Sequence, residues 1–170
     1  MTKTRILLVV MLVFSLSNPV KATTVERLNL DGLVKKANRI VIGKVRSSRI
    51  YWSTNGKLIL TNYTIDVQET IKGQAARTME LTTIGGTIGD LTLHVAGMPV
   101  FAREENAVVF VENTGAYSTI VGLGQGKFTV VNGEVSNNIG GLEFPDGGGA
   151  RPTQMPLATF KRQIKLSLDR

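Results

Sequence analysis

Cysteine is absent from all 170 residues. Without it no disulfide can form, so the fold must rest on core packing and strand pairing. A thiolate nucleophile, a thiolate-bound zinc and a thioether-linked lipid are excluded at the same stroke. Histidine occurs once, as His94. A zinc centre normally takes three or four Cys, His or carboxylate ligands, so no histidine-rich metal site is available. His94 is also the only imidazole for a Ser-His-Asp triad, and no Gly-x-Ser-x-Gly elbow accompanies it. There is one tryptophan, Trp52, and aromatic residues make up only 6% of the chain. Past residue 22 no apolar run approaches ~18 residues, so no membrane-crossing helix is expected there.

The first 22 residues have an organisation of their own. Lys3 and Arg5 form a basic start, residues 6–16 are almost unbroken apolar sequence, and Val20-Lys21-Ala22 ends in small residues after the breakers Asn18 and Pro19. That is the three-part layout of a secretory signal peptide. The apolar run is about 11 residues, short of the ~20 needed to span a bilayer. Export with removal of residues 1–22 is therefore expected, leaving one domain over residues 23–170, secreted or periplasmic. Three of the 20 basic residues and none of the 13 acidic ones lie in that leader, so the net charge falls from +7 to +4. Such a balance gives solubility and mild attraction to anionic surfaces. Nucleic-acid binding calls for a denser basic stripe and is not expected.

Helical spacing of Val25, Leu28, Leu30, Leu33, Val34 and Ala37 predicts a helix over residues 25–38, weakened by Gly32. Residues 40–45, Ile-Val-Ile-Gly-Lys-Val, read as a buried strand that runs on less apolar to Trp52. Asn55-Gly56 predicts a tight type I′ hairpin turn. Period-2 alternation of Ile59, Tyr63, Ile65, Val67 and Ile71 predicts the returning strand over 58–71. Further strands are expected at 77–84, 91–95, 107–111 and 117–121, the 107–111 strand being central, with a flexible connection at 85–90. A second Asn-Gly hairpin joins 127–131 to 134–136 through Asn132-Gly133. Residues 137–153, with five glycines and two prolines, read as a long exposed loop. Leu157, Phe160, Ile164 and Leu168 form the stripe of a final helix over 156–168, with Lys161, Arg162 and Lys165 solvated. Short antiparallel strands with glycine-rich turns and a helix at each end predict a mainly β barrel or sandwich.

Two segments carry a family likeness. Residues 37–45, Ala-Asn-Arg-Ile-Val-Ile-Gly-Lys-Val, and residues 63–73, ending in Lys72-Gly73, resemble the netrin-like module of the tissue inhibitors of metalloproteinases. In that module a helix runs into a strand that opens with a small and an acidic residue; here Asn38 takes the acidic place. Residues 101–111 are similar to a third strand of such modules. The chain is also similar to exported bacterial proteins with this strand pattern and a Gly-x-Gly-Lys-Phe segment, here Gly124 to Phe128. The likeness implies a small OB-like antiparallel barrel and, for function, binding of an exported protein, a metalloprotease among the candidates. Those inhibitors chelate the protease zinc with a disulfide-bonded N-terminal cysteine, whereas the expected first residue here is Thr23, followed by Thr24. The inhibitory chemistry therefore does not transfer residue by residue.

The candidate chemistry is sparse. Asp66, Glu69 and Asp90 are potential paired carboxylates, but solvent-facing strand and turn charges are the favoured reading. Gly122 to Phe128 mimics a phosphate loop without its Gly-x4-Gly-Lys-Ser/Thr spacing, which favours a turn or bulge. Tyr51 and Trp52, beside Arg46 and Arg49 near a hairpin tip, are the candidate contact residues for a partner or a sugar. The sequence thus predicts an exported, non-enzymatic interaction module without metal or cofactor. Its partner-binding residues would be Thr23 and Thr24 at the N-terminal edge, together with the Arg46, Arg49, Tyr51 and Trp52 cluster. An envelope glycan is the alternative ligand, and a hydrolase ranks last.

Overall fold

A computed structural model describes residues 23–147 and 152–170. The expected leader, residues 1–22, lies outside them. The chain is mainly β, with two α-helices among the described residues: α1 (Leu30–Lys36) and α2 (Leu157–Leu168). The strands are β1 (Thr23–Thr24), β2 (Arg39–Trp52), β3 (Ile59–Lys72), β4 (Thr78–Ile84), β5 (Gly86–Ile88), β6 (Leu91–Leu93), β7 (Asn106–Asn113), β8 (Ser118–Ile120), β9 (Lys127–Val131), β10 (Glu134–Asn137), β11 (Leu142–Glu143) and β12 (Gln154–Pro156). One antiparallel sheet runs β12-β10-β9-β7-β2-β3-β4, and β8 adds to β7 beside β9.

Strands β7 and β2 lie at its centre. The apolar run of β7 and the first half of β2, through Val45, are buried on both faces. Ile40, Ile42, Val108 and Phe110 face a core closed by Leu33, Val34 and Ala37 of α1 and by Phe160 and Ile164 of α2. Phe128 and Phe160 meet there with ring centroids 4.4 Å apart. Val41, Val45, Val109 and Val111 face the other way, into a second core with Tyr63, Ile65, Met79, Leu81, Phe101 and Ile120. This second core exists because the sheet curls until β4 packs against β8. The two strands form no ladder, however, so the expected closed barrel is not found among the described residues: the sheet is open, with β4 and β12 as its ends.

Local chemistry accounts for the element limits. Helix α1 is shorter than the predicted 25–38, because Asn29 caps it by accepting from the Gly32 N–H at 2.8 Å. At its other end the Lys72 ammonium donates to the carbonyls of Val34 (2.7 Å) and Ala37 (2.6 Å). The Asn132-Gly133 turn has both residues at positive φ, 51° and 78°, as a type I′ turn demands. The Asn55-Gly56 turn does not follow that expectation. Only Gly56 has positive φ, and Asn55 acts through its side chain, accepting from the Lys57 N–H at 3.1 Å. The connection expected to be flexible contains β5, which pairs with β6 in a small hairpin. The loop expected to be exposed over 137–153 is partly core. Ile139, Leu142 and Phe144 are buried together, and β11 within it pairs in parallel with β1. Lys161, expected in solvent, is half-buried and pairs with Glu69 at 2.5 Å.

Candidate functional site

Four of the predicted contact residues fall on the distal half of β2. Its register against β3 sets Arg49 opposite Asn62, Tyr51 opposite Leu60 and Trp52 opposite Ile59. Successive strand residues point to opposite faces. Tyr51 and Trp52 therefore do not form the single aromatic platform that their adjacency suggests. Tyr51 shares its face with Arg49, whose guanidinium lies 5.2 Å from the tyrosine ring. Trp52 shares the opposite face with Ser48 and Ile50. Ile50 and Trp52 are both 41% exposed, an unusual amount for large apolar residues on one strand.

A register shift between Val45 and Ser47 marks a bulge at Arg46. The bulge re-aims the Arg46 guanidinium onto Asp66, with Nε donating to Oδ2 at 2.9 Å and the second nitrogen 2.5 Å from Oδ1. Where β2 parts from β7, a cleft of about 360 Å³ opens, lined by Val45, Arg46, Ser47, Ser48, Phe101 and Arg103. At its rim the Lys44 ammonium, 2.7 Å from Glu104, holds that carboxyl below its ordinary pKa by hydrogen bond and charge, with Arg103 adding to the effect.

On the Trp52 side of the sheet lies a groove of about 340 Å³ between the β2–β3–β4 ribbon and the β5–β6 hairpin. The pair Gly85-Gly86 turns the chain into that hairpin with φ of 129° and 136°, a region open only to glycine. A Cβ on Gly86 would stand 2.8 Å from Ile50 Cγ2 and 2.9 Å from Thr61 Oγ1. Ser48, Thr61, Tyr63, Thr83, Thr87 and Thr92 give the groove its hydroxyls, and Ile50 and Val100 its exposed apolar rim. His94 is exposed beside it.

The remaining candidates are not brought together. Thr23 and Thr24 pair with Leu142 and Glu143, away from the β2–β3 tip. Asp66 and Glu69 hold different cations, Arg46 and Lys161, while Asp90 stands at the β5–β6 turn. Among the described residues, no three histidine or carboxylate groups converge in a way that could hold a metal ion. The phosphate-loop mimic is a buried 3-10 turn, Leu123–Gly126. Its lysine, Lys127, is engaged with Glu105 at 2.7 Å and with the Val100 carbonyl at 2.7 Å. Sequence reasoning overlooked Ser48, Ile50, Val100 and Arg103. The only local signal was the change from apolar to polar residues after Val45 within one long strand.

No family model matches the chain, and neither a curated protein nor a solved structure gives a match.

Proposed function

We propose that this chain is an exported, non-enzymatic interaction module that binds another exported protein, with exported proteases among the candidate partners. The observation that carries this reading is the distal half of β2. It projects Ile50 and Trp52, each 41% exposed, beside a groove rimmed by Val100 at 71%. A rigid sheet that presents clustered apolar side chains with arginines nearby has the composition of a contact surface. The netrin-like strand pattern and the leader-like residues 1–22 support the same reading. Affinity capture from envelope and medium, read by mass spectrometry, tests it. One dominant exported partner is expected, retained about tenfold less by an Ile50→Ala, Trp52→Ala double variant. An empty capture with folded bait overturns the proposal.

A second reading, glycan binding, is favoured by the six hydroxyl side chains in the groove beside the Trp52 face. It predicts that Trp52→Ala with Tyr51→Ala abolishes retention on envelope polymer. Unchanged retention counts against it.

A further inference from the structure

Strand β2 changes character half-way along its length. From Ile40 to Lys44 it pairs with β3 on one side and β7 on the other. Val45 still bonds to the segment before β7: its N–H donates to the Glu105 carbonyl at 2.9 Å, and its carbonyl accepts from the Glu104 N–H at 2.8 Å. After the bulge at Arg46, residues 47–52 pair with β3 alone. The Ser53 N–H donates across the hairpin to the Leu58 carbonyl at 2.8 Å. By strand alternation, Tyr51, Arg49 and Ser47 therefore turn their main-chain groups to β3. Those of Ser48, Ile50 and Trp52 point outward, where no strand among the described residues meets them. Three outward peptide groups in register are a template for one more strand.

The side chains along this edge select what that strand can be. An added strand alternates its own side chains between the same two faces. One set would meet Ile50 and Trp52. The other would meet Arg49, and the end at the cleft would meet Arg46 and Arg103. The same arginines disfavour a second copy of this chain, because antiparallel self-pairing sets like charges near each other. The geometry points to β-strand addition at Ser47–Trp52 by an extended partner segment in which acidic residues alternate with apolar ones. This rests on the protein-binding reading above and adds the mode of recognition and the chemistry of the ligand.

Trp52 is the only tryptophan, so its emission reports the edge directly. The probe is a capped peptide of about eight residues alternating glutamate and valine, with a lysine-for-glutamate counterpart. The purified protein is expected to give a saturable emission change with the glutamate peptide and about tenfold weaker binding of the lysine peptide. Ser48→Pro removes one outward N–H without touching the β3 ladder, and is expected to weaken binding about tenfold with the circular dichroism unchanged. Should that variant fail to fold, peptides N-methylated on alternate residues serve instead, and one of the two methylation registers must lose binding. The inference is overturned by equal affinity for the two peptides, by no saturable change up to about 1 mM, or by wild-type binding in folded Ser48→Pro. A dimer in sedimentation that Ser48→Pro dissociates also overturns it and assigns the edge to a second copy. Native-partner capture separates the two levels. Equal capture by wild type and Ser48→Pro sinks strand addition and leaves the interaction reading standing, whereas no capture by wild type sinks the interaction reading itself.

Discussion

Lys127 shows how far one side chain can bind distant segments. Its ammonium reaches Glu105 and the Val100 carbonyl, and lies 4.5 Å from the centre of the Phe101 ring. Glu105 in turn accepts from the Ala102 N–H at 2.9 Å and from the Thr129 hydroxyl at 2.6 Å. The two side chains are only 14% and 12% exposed. Removing one partner strands a charge in a mostly dry site, which is the costly case for ion pairs. Lys127→Met is expected to lose about 2–4 kcal/mol in urea unfolding, and Lys127→Met with Glu105→Gln to recover part of that. The Gly-x-Gly-Lys-Phe segment was legible in the sequence as a turn. The partner of its lysine was not, because cross-strand pairing depends on register and composition does not encode it.

Elements were legible wherever one periodicity ran without interruption. The central β7, the Asn132-Gly133 turn and the stripe of α2 follow directly from their residues. Legibility ended where a strand changed environment along its own length. The bulge at Arg46 leaves no mark in the alternation of polar and apolar residues, yet it decides which way every later side chain points. Likewise Ile139, Leu142 and Phe144 were hidden among glycines that imply exposure. At this scale the Gly85-Gly86 pivot is the most exacting position. Gly86→Val would bring a β-branched side chain onto Ile50 and Thr61 at a glycine-only φ, and is expected to cost about 2–3 kcal/mol. The β5–β6 hairpin should loosen first, seen as faster proteolysis there than at β7.

The whole molecule is a two-sided sheet with no covalent staple. Helices cover one face, and the curl of the sheet covers the other. Phe160 links Phe110 and Phe128 beneath α2, so Phe160→Ala is expected to cost about 3–5 kcal/mol and to lower Tm by roughly 10 °C or more. That the chain is β-rich with a helix at each end was readable, whereas barrel closure was not, since it turns on whether β4 and β8 meet as a ladder or as packed side chains. The divided strand β2 has a consequence for hydrogen exchange. Amides of residues 40–45 lie between two partners and should exchange only through the largest unfolding events. Further along the same strand, protection should alternate: slow at Arg49 and Tyr51, whose N–H groups face β3, and fast at Ser48, Ile50 and Trp52, which face water. A bound strand would erase that alternation residue by residue, turning the amides of Ser48, Ile50 and Trp52 into a map of what the edge has captured.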